Sequence, residues 1–402
     1  MALPLPKDLP DAVAQALRVC PVFDGHNDLA AALRARAGYS VAGLDRLRPE
    51  FQTDLVRLRE GGVGAQFWSA WVPTSLGPAE AVAATLEQID AIERLVAAYP
   101  DWLARANTAA EVRAAWAGGR IASLIGIEGG HSIARSLGVL RSFARLGVRY
   151  LTLTHLTNTE WADSGTDQPV HGGLTDEGRA VVGELGRIGM LVDLSHTSPD
   201  TQRDALAAAR APVIFSHSSA YAVAPHPRNV PDDVLELLRR NGGLVQATFV
   251  PGYISPAVAE WEAEAAAALT SGPLDFDALW GPAPLPGQSL APSPAPAWGE
   301  LQRQLVEWEA AHPRPPVGIP DVVAHLEHLR QVADVDHIGL GGDYDGVLYQ
   351  PAGMEDVSGY PRLLAALAER GWSPQDLAKL AGGNLLRVLE EAEQAASDPL
   401  WP

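Results

Sequence analysis

Cysteine and lysine are almost missing from this chain of 402 residues, and positive charge is scarce. Cys20 stands alone, which excludes an intramolecular disulfide, a thiolate zinc cage and an iron–sulfur cluster. Lysine occurs only at Lys7, in a Pro-rich leader, and at Lys379, in a C-terminal helical stretch; the other 28 basic residues are arginine. A Schiff-base lysine, a P-loop lysine and a carbamylated metal-bridging lysine are therefore not expected. With 30 Lys plus Arg against 49 Asp plus Glu, the formal net charge is −19, and a nucleic-acid partner is not expected. No segment approaches the roughly 18 consecutive apolar residues of a membrane span. The start, MALPLPKDLPDAVAQALRVC, lacks the apolar core of a signal peptide. These absences predict a soluble, cytoplasmic protein without a membrane partner.

What is present suits a folded globular chain, with 47% hydrophobic and 20% charged residues. Eight short apolar runs recur: PVFDGHNDL, VGAQFWSAWV, IASLIGIEGG, VRYLTLTH, GMLVDLSH, PVIFSHSS, GGLVQATFV and HIGLGGDYDG. Most are continuous rather than alternating, as in strands buried on both faces. Between them, stretches such as Pro78–Tyr99, Thr175–Ile188, Pro199–Ala209 and Asp232–Arg240 carry helical spacing. Eight strand–helix alternations predict an α/β fold, a (β/α)8 TIM barrel filling residues 1–402 as one domain, with an open doubly wound sheet as the alternative. One long insertion interrupts the pattern between strands seven and eight, at about 255–320. It combines a helical piece, Pro256–Leu269, the Pro-rich stretch GPAPLPGQSLAPSPAPAW and a second helical piece, Trp298–Ala311. It reads as a surface excursion, or as a lid or oligomer contact.

Residues able to bind metal fall at the C-terminal ends of the predicted strands, the face where barrel enzymes carry their chemistry. His26 and Asp28, two apart in strand one, point to the same side. Glu128 closes strand three, His155 strand four, His196 strand five, His217 strand six and Asp343 strand eight. Singly, each has a plainer reading: a strand-end histidine is commonly a hydrogen-bonded structural residue, and Asp28 could cap the next helix. As a set, imidazoles and carboxylates converging on one mouth suit Zn²⁺ or a similar divalent ion. Without a usable lysine, Glu128 is the natural bridge between two metals, one oxygen for each.

Other motifs are weaker. GGHSIA around Ser132 misses a nucleophile elbow by one glycine, so Ser132 is expected to start a helix Ile133–Leu146, with Gly129 and Gly130 permitting the turn after Glu128. GGVGAQ lacks a complete dinucleotide fingerprint, and DYDG lacks the further oxygens of a calcium loop. His325 and His328 share a helix face and read as surface or packing residues.

The strings FDGHNDL, GIEGGHSI, LTLTHLTNTEWADS, LVDLSHTS, VIFSHSSA, PRNVPDD, LGGDYDG and GGNLLRV run in order from residue 22 to about 390. In this the sequence resembles the membrane (renal-type) dipeptidase family of zinc peptidases, in its microbial branch. The resemblance implies a barrel of the metal-dependent hydrolase type with two bridged zinc ions, hydrolysing dipeptides by metal-activated hydroxide. It implies that His26 and Asp28 hold one zinc, His196 and His217 the other, and that Glu128 bridges them. It further gives His155 to the scissile carbonyl, Arg228 to the substrate carboxylate, Asp343 to acid/base transfer and Tyr253 to a substrate contact. A C-terminal D-residue in the substrate and a homodimer are also in keeping with it. The disulfide cysteines, signal peptide and lipid-anchor tail of animal members are absent, so secretion and anchoring are not expected. The alternatives are another binuclear barrel hydrolase, such as an N-acyl amino acid deacylase, a lactonase or a phosphotriesterase-like enzyme, and a non-catalytic metal-binding homologue.

Overall fold

The computed structural model describes residues 3–269 and 296–400. Nine parallel strands form one sheet: β1 (Val22–Asn27), β2 (Val63–Trp71), β3 (Leu103–Arg105), β4 (Ile121–Glu128), β5 (Val148–Thr152), β6 (Leu191–Asp193), β7 (Ile214–Phe215), β8 (Leu244–Ala247) and β9 (Ile338–Leu340). All but β3 succeed one another around the predicted eight-stranded TIM barrel. β3 was not expected, because Leu-Ala-Arg carries no apolar run. It pairs with the start of β4, and β5 takes over from Ile125. Every residue of β1, β2, β4 and β5 is buried, which explains their continuous apolar character.

The predicted helices form close to their expected limits. Thr175 accepts from the Gly178 N–H to cap Asp176–Ile188, and Ser198 accepts from the Thr201 N–H to cap Pro199–Ala208. The expected helix from Ser132 is corrected. A 3-10 turn covers Gly130–Ile133, and the α-helix begins at Leu137, capped by Ser136. Gly129, at φ 106°, makes the turn after Glu128 in a region closed to other residues. In the insertion, helices cover Pro256–Leu269 and Pro296–Ala311. The Pro-rich stretch lies outside the described residues up to 295.

Two features position the site. From the N-terminal ends to the middle of the strands, Phe23, Phe67, Leu124, Tyr150, Leu191, Ile214 and Leu244 cluster with Leu385 and Leu389 of the C-terminal helix Asn384–Ala395. At the opposite end β1 and β9 meet without a ladder. They are joined by a bridge between Asn27 and Tyr344, by Asp28 N–H donating to Tyr344 O at 2.9 Å, and by Asp343 N–H donating to His26 O at 3.3 Å. The buried Asp24 carboxylate reinforces this seam, accepting from His26 N–H at 3.0 Å, from Gly342 N–H at 3.1 Å and from the Tyr360 hydroxyl.

Packing inside the barrel leaves no slack. A Cβ on Gly126 would lie 1.9 Å from Cζ of Tyr150. Gly126→Ala is expected to cost about 1–3 kcal/mol through overpacking, seen as a lower Tm in calorimetry. An unchanged Tm would show that this contact is not tight.

Candidate active site

The predicted polar residues come together, but mostly beyond the strands rather than at their last residues. Glu128 ends β4, whereas His155, His196 and Asp343 each stand three residues past β5, β6 and β9, and His217 two past β7. Leaving the ladder lets them turn toward a common centre. His196 and Asp343 do so in left-handed backbone conformations, φ 68° and 55°. For non-glycine residues such conformations cost about 1–3 kcal/mol and persist where surrounding contacts enforce them. The His196 carbonyl accepts from Gly165 N–H at 2.7 Å and from the Ser164 hydroxyl at 3.2 Å. The same hydroxyl lies 2.6 Å from the His155 carbonyl.

Glu128 is the centre. Its Oε1 lies 2.9 Å from His196 Nε2, 3.2 Å from His217 Nε2 and 3.8 Å from His155 Nε2. Its Oε2 lies 3.4 Å from His26 Nε2 and accepts from Ser69 at 3.3 Å. His26 Nε2 is also 3.3 Å from Asp28 Oδ2. Asp28 makes no side-chain cap to the helix that follows it, so the plainer reading of this residue fails.

Three overlapping groups have ligand atoms close enough to share an ion: His26, Glu128 and His217; Glu128, His155 and His196; His26, Asp28 and Asp343. The donor atoms also fit a cation. His26 Nε2 and Asp28 Oδ1 are buried without a hydrogen-bond partner, and the Nε2 atoms of His196 and His217 face each other at 3.0 Å. Groups behind the site aim these nitrogens. Ser216 donates its hydroxyl hydrogen to Asp193 Oδ2 at 2.6 Å, so its oxygen accepts from His217 Nδ1 at 2.8 Å. That leaves a lone pair on His217 Nε2, as metal ligation requires. The Tyr150 hydroxyl lies 2.9 Å from His26 Nδ1 and holds that ring in place. Tyr150, Asp193 and Ser216 escaped the sequence reading because they lie in or directly after buried strands, where a residue looks like core.

Burial dominates the electrostatics. It pushes the His196 and His217 imidazolium forms well below the ordinary range, helped by the Arg228 charge at His196 and by His26 and Arg228 at His217. Burial would depress His26 too, but Tyr150, Glu128 and Asp28 outweigh it and hold it well above that range. Glu128 resists its own burial through the His26 charge and the close polar contacts of His196, His217 and His26, and sits well below the usual carboxylate range. Asp343 is raised well above that range by burial and then by Asp28. His155 is pushed down to about 3, chiefly by burial.

A cavity opens over this centre, lined by Asp28, Glu128, His155, His196, Tyr253 and Asp343. Tyr253, which the resemblance gives to a substrate contact, is on its wall. Arg228 lies behind that wall, 2% exposed, with its guanidinium 5.3 Å from the Tyr253 ring centre. It donates to Ser218 Oγ and the His217 carbonyl. The insertion supplies Trp261, Glu262 and Leu305 to the cavity, so it forms part of the site's wall. His325 and His328 take no part: His325 bonds Ile254 O and Ala220 N–H, and His328 pairs with Asp232.

The family model for membrane dipeptidases, peptidase family M19, matches residues 11–401. The chain belongs to this family. It is 39% identical over 398 residues to dipeptidase aclJ of Aspergillus oryzae, covering 95% of this chain and 80% of that protein. It is 40% identical over 390 residues to dipeptidase 3 of Rattus norvegicus, covering 96% of this chain and 67% of that one. Among solved structures, dipeptidase AC, a metallopeptidase, superposes with a TM-score of 0.73 at 25% identity, over 93% of this chain and 99% of that one. The fold also matches a Rhodobacter sphaeroides metallopeptidase solved with a phosphinate mimic of L-Ala-D-Ala, at 24% identity and a TM-score of 0.73, over 93% of this chain and 99% of that one. The protein is thus a metallo-dipeptidase, a hydrolase of peptide bonds. Among the described residues, no helix is long and apolar enough to cross a membrane.

Glu128 touches candidate ligands on both sides of the centre. Glu128→Gln is therefore expected to strip most of the divalent metal from protein purified without chelator, measured by plasma mass spectrometry. Wild-type metal content in that variant would remove Glu128 from the coordination shell.

Proposed function

We propose that this dipeptidase works with two zinc ions per chain bridged by Glu128, with His26 and Asp28 on one side and His196 and His217 on the other. The observation that carries this reading is the division of the Glu128 carboxylate, Oε2 toward His26 and Oε1 toward His196 and His217. When bound, the ions supply Lewis acidity to the scissile carbonyl and lower the pKa of water toward ~7.

The protein groups then have distinct tasks. Trp71 Nε1–H, which can only donate, points at His155 Nδ1 from 3.3 Å. His155 must accept there, so its proton sits on Nε2, on the side facing Glu128. With its imidazolium form suppressed to about 3, it is a neutral donor at any working pH, suited to the oxygen that gains charge as the carbonyl is attacked. Asp343, whose raised pKa comes from burial and Asp28, can hold a proton: it takes one from the attacking water and gives it to the departing amine. Arg228 supplies a positive charge that depresses His155, His196 and His217, placing its field at the centre. With Tyr253 it receives the free carboxylate of the substrate, which restricts substrates to short peptides. A homodimer in the cytoplasm is part of the same proposal, supported by family resemblance and composition.

A panel of dipeptides, N-acyl amino acids, lactones and phosphotriesters, with and without added Zn²⁺, tests the reading. Dipeptides are expected to be the preferred substrates, with zinc dependence; a preference for any other class would replace it. Asp343→Asn should retain metal and fold while kcat falls by about 10²–10⁴, the span of a lost general acid–base group. Near wild-type turnover in that metal-replete variant would take the proton-transfer role from Asp343.

A further inference from the structure

Four carboxylates line the cavity, and Glu262 is the one outside the set of candidate ligands and acid/base groups. It comes from the inserted helix Pro256–Leu269, and its placement is built rather than incidental. The Tyr349 hydroxyl donates to Glu262 Oε1. The Arg314 guanidinium lies 3.5 Å from the Tyr349 ring centre and pairs with Glu309 at 3.0 Å. Next to Glu262, Trp261 Nε1–H donates to the His312 carbonyl at 2.6 Å. The Tyr349 bond ties the helix to the segment after β9 that also carries Asp343, and the Trp261 bond ties it to the end of the second inserted helix.

The second oxygen of Glu262 reaches toward the wall that holds Tyr253. A Cβ on Gly252 would lie 2.0 Å from Glu262 Oε2, so glycine there makes room for the carboxyl. Glu262 is close enough to Tyr253 for its charge to help raise the tyrosine. Burial raises Glu262 itself, opposed by the Tyr349 hydrogen bond and by Arg314, whose charge is shared with Glu309.

We propose that Glu262 selects the side chain of the substrate's C-terminal residue, favouring a basic side chain and disfavouring an acidic one. This rests on the reading that Arg228 and Tyr253 receive the substrate carboxylate. A residue anchored there carries its side chain beside Tyr253, where Glu262 is the wall carboxylate left free of the proposed metal and proton-transfer roles. In a partly desolvated cavity, opposite charges attract and like charges repel far more than in water. The flanking Trp261, Leu305 and Leu348 suit the methylene stem of such a side chain.

The test compares kcat/KM for alanyl-arginine, alanyl-alanine and alanyl-aspartate on zinc-loaded enzyme. Wild type is expected to favour alanyl-arginine over alanyl-aspartate by about tenfold or more. E262Q should bring that ratio to within about threefold of unity, and E262K should invert it. Each ratio is taken within one preparation, so a change in folded fraction cancels. A wild-type ratio near one, or an E262Q ratio within about twofold of wild type, overturns the inference and leaves the dipeptidase reading standing. Cleavage of alanyl-alanine amide as fast as alanyl-alanine removes the carboxylate anchor, and the inference with it.

Discussion

A carboxylate buried among imidazoles is the constraint on which the site depends. An isolated buried anion is costly, and Glu128 is 4% exposed at the end of β4. Two of its histidine neighbours, His196 and His217, are held neutral by burial, so they offer dipoles rather than charge. His26 alone is pushed toward its charged form. A divalent cation resolves the imbalance better than a proton, because it would engage the facing Nε2 atoms of His196 and His217 as well as the carboxylate. Much of the surrounding structure serves this arrangement. Gly129 turns the chain away immediately after Glu128, and Asp193, through Ser216, orients His217.

The barrel closes where the chemistry sits. β1 and β9 are joined by the backbones of His26, Asp28, Asp343 and their neighbours rather than by a ladder. The same residues that place metal-binding side chains therefore hold the barrel shut at that end. Asp24, two residues before His26, ties both strands to Tyr360. An ion drawn toward His26, Asp28 and Asp343 would pull on both sides of one seam and so couple its binding energy to closure.

Much of this was legible in the sequence because barrel strands impose a simple order. Their buried runs are continuous, and chemistry gathers at their C-terminal ends, so His26, Asp28, Glu128, His155, His196, His217 and Asp343 could be picked from position and residue type, while their separate roles came from the family resemblance. The strands are shorter than their apolar runs, though, because His155, His196, His217 and Asp343 must leave the ladder to converge. Apolar character continues past the last ladder hydrogen bond and does not mark it. The groups behind the ligands were hidden for a related reason. Tyr150 and Trp71 belong to buried strands, and only the fold shows that one meets His26 and the other His155. Ser132 looked like a helix start because serine caps helices, but the chain needed a further turn before Ser136 could do so.

The structure also separates two demands that a hydrolase must meet. The groups proposed for bond breaking stand on or just beyond the barrel strands, where dense packing fixes them: Trp71 on β2 sets the tautomer of His155, and Tyr150 on β5 fixes His26. Much of the remaining cavity wall comes from the insertion and the segment after β9, through Trp261, Glu262, Leu305, Leu348 and Tyr349. They are held by the Tyr349 hydroxyl on Glu262, by the Arg314 guanidinium over the Tyr349 ring and by the Trp261 indole on the His312 carbonyl, none of which involves a barrel strand. A substitution in that wall can therefore alter which side chain fits without moving Glu128 or its histidines, whereas one at Tyr150 or Ser216 disturbs the ligands whatever the substrate. The long insertion, which looked like an interruption of a regular barrel, is the part of the chain best placed to decide what the barrel cleaves.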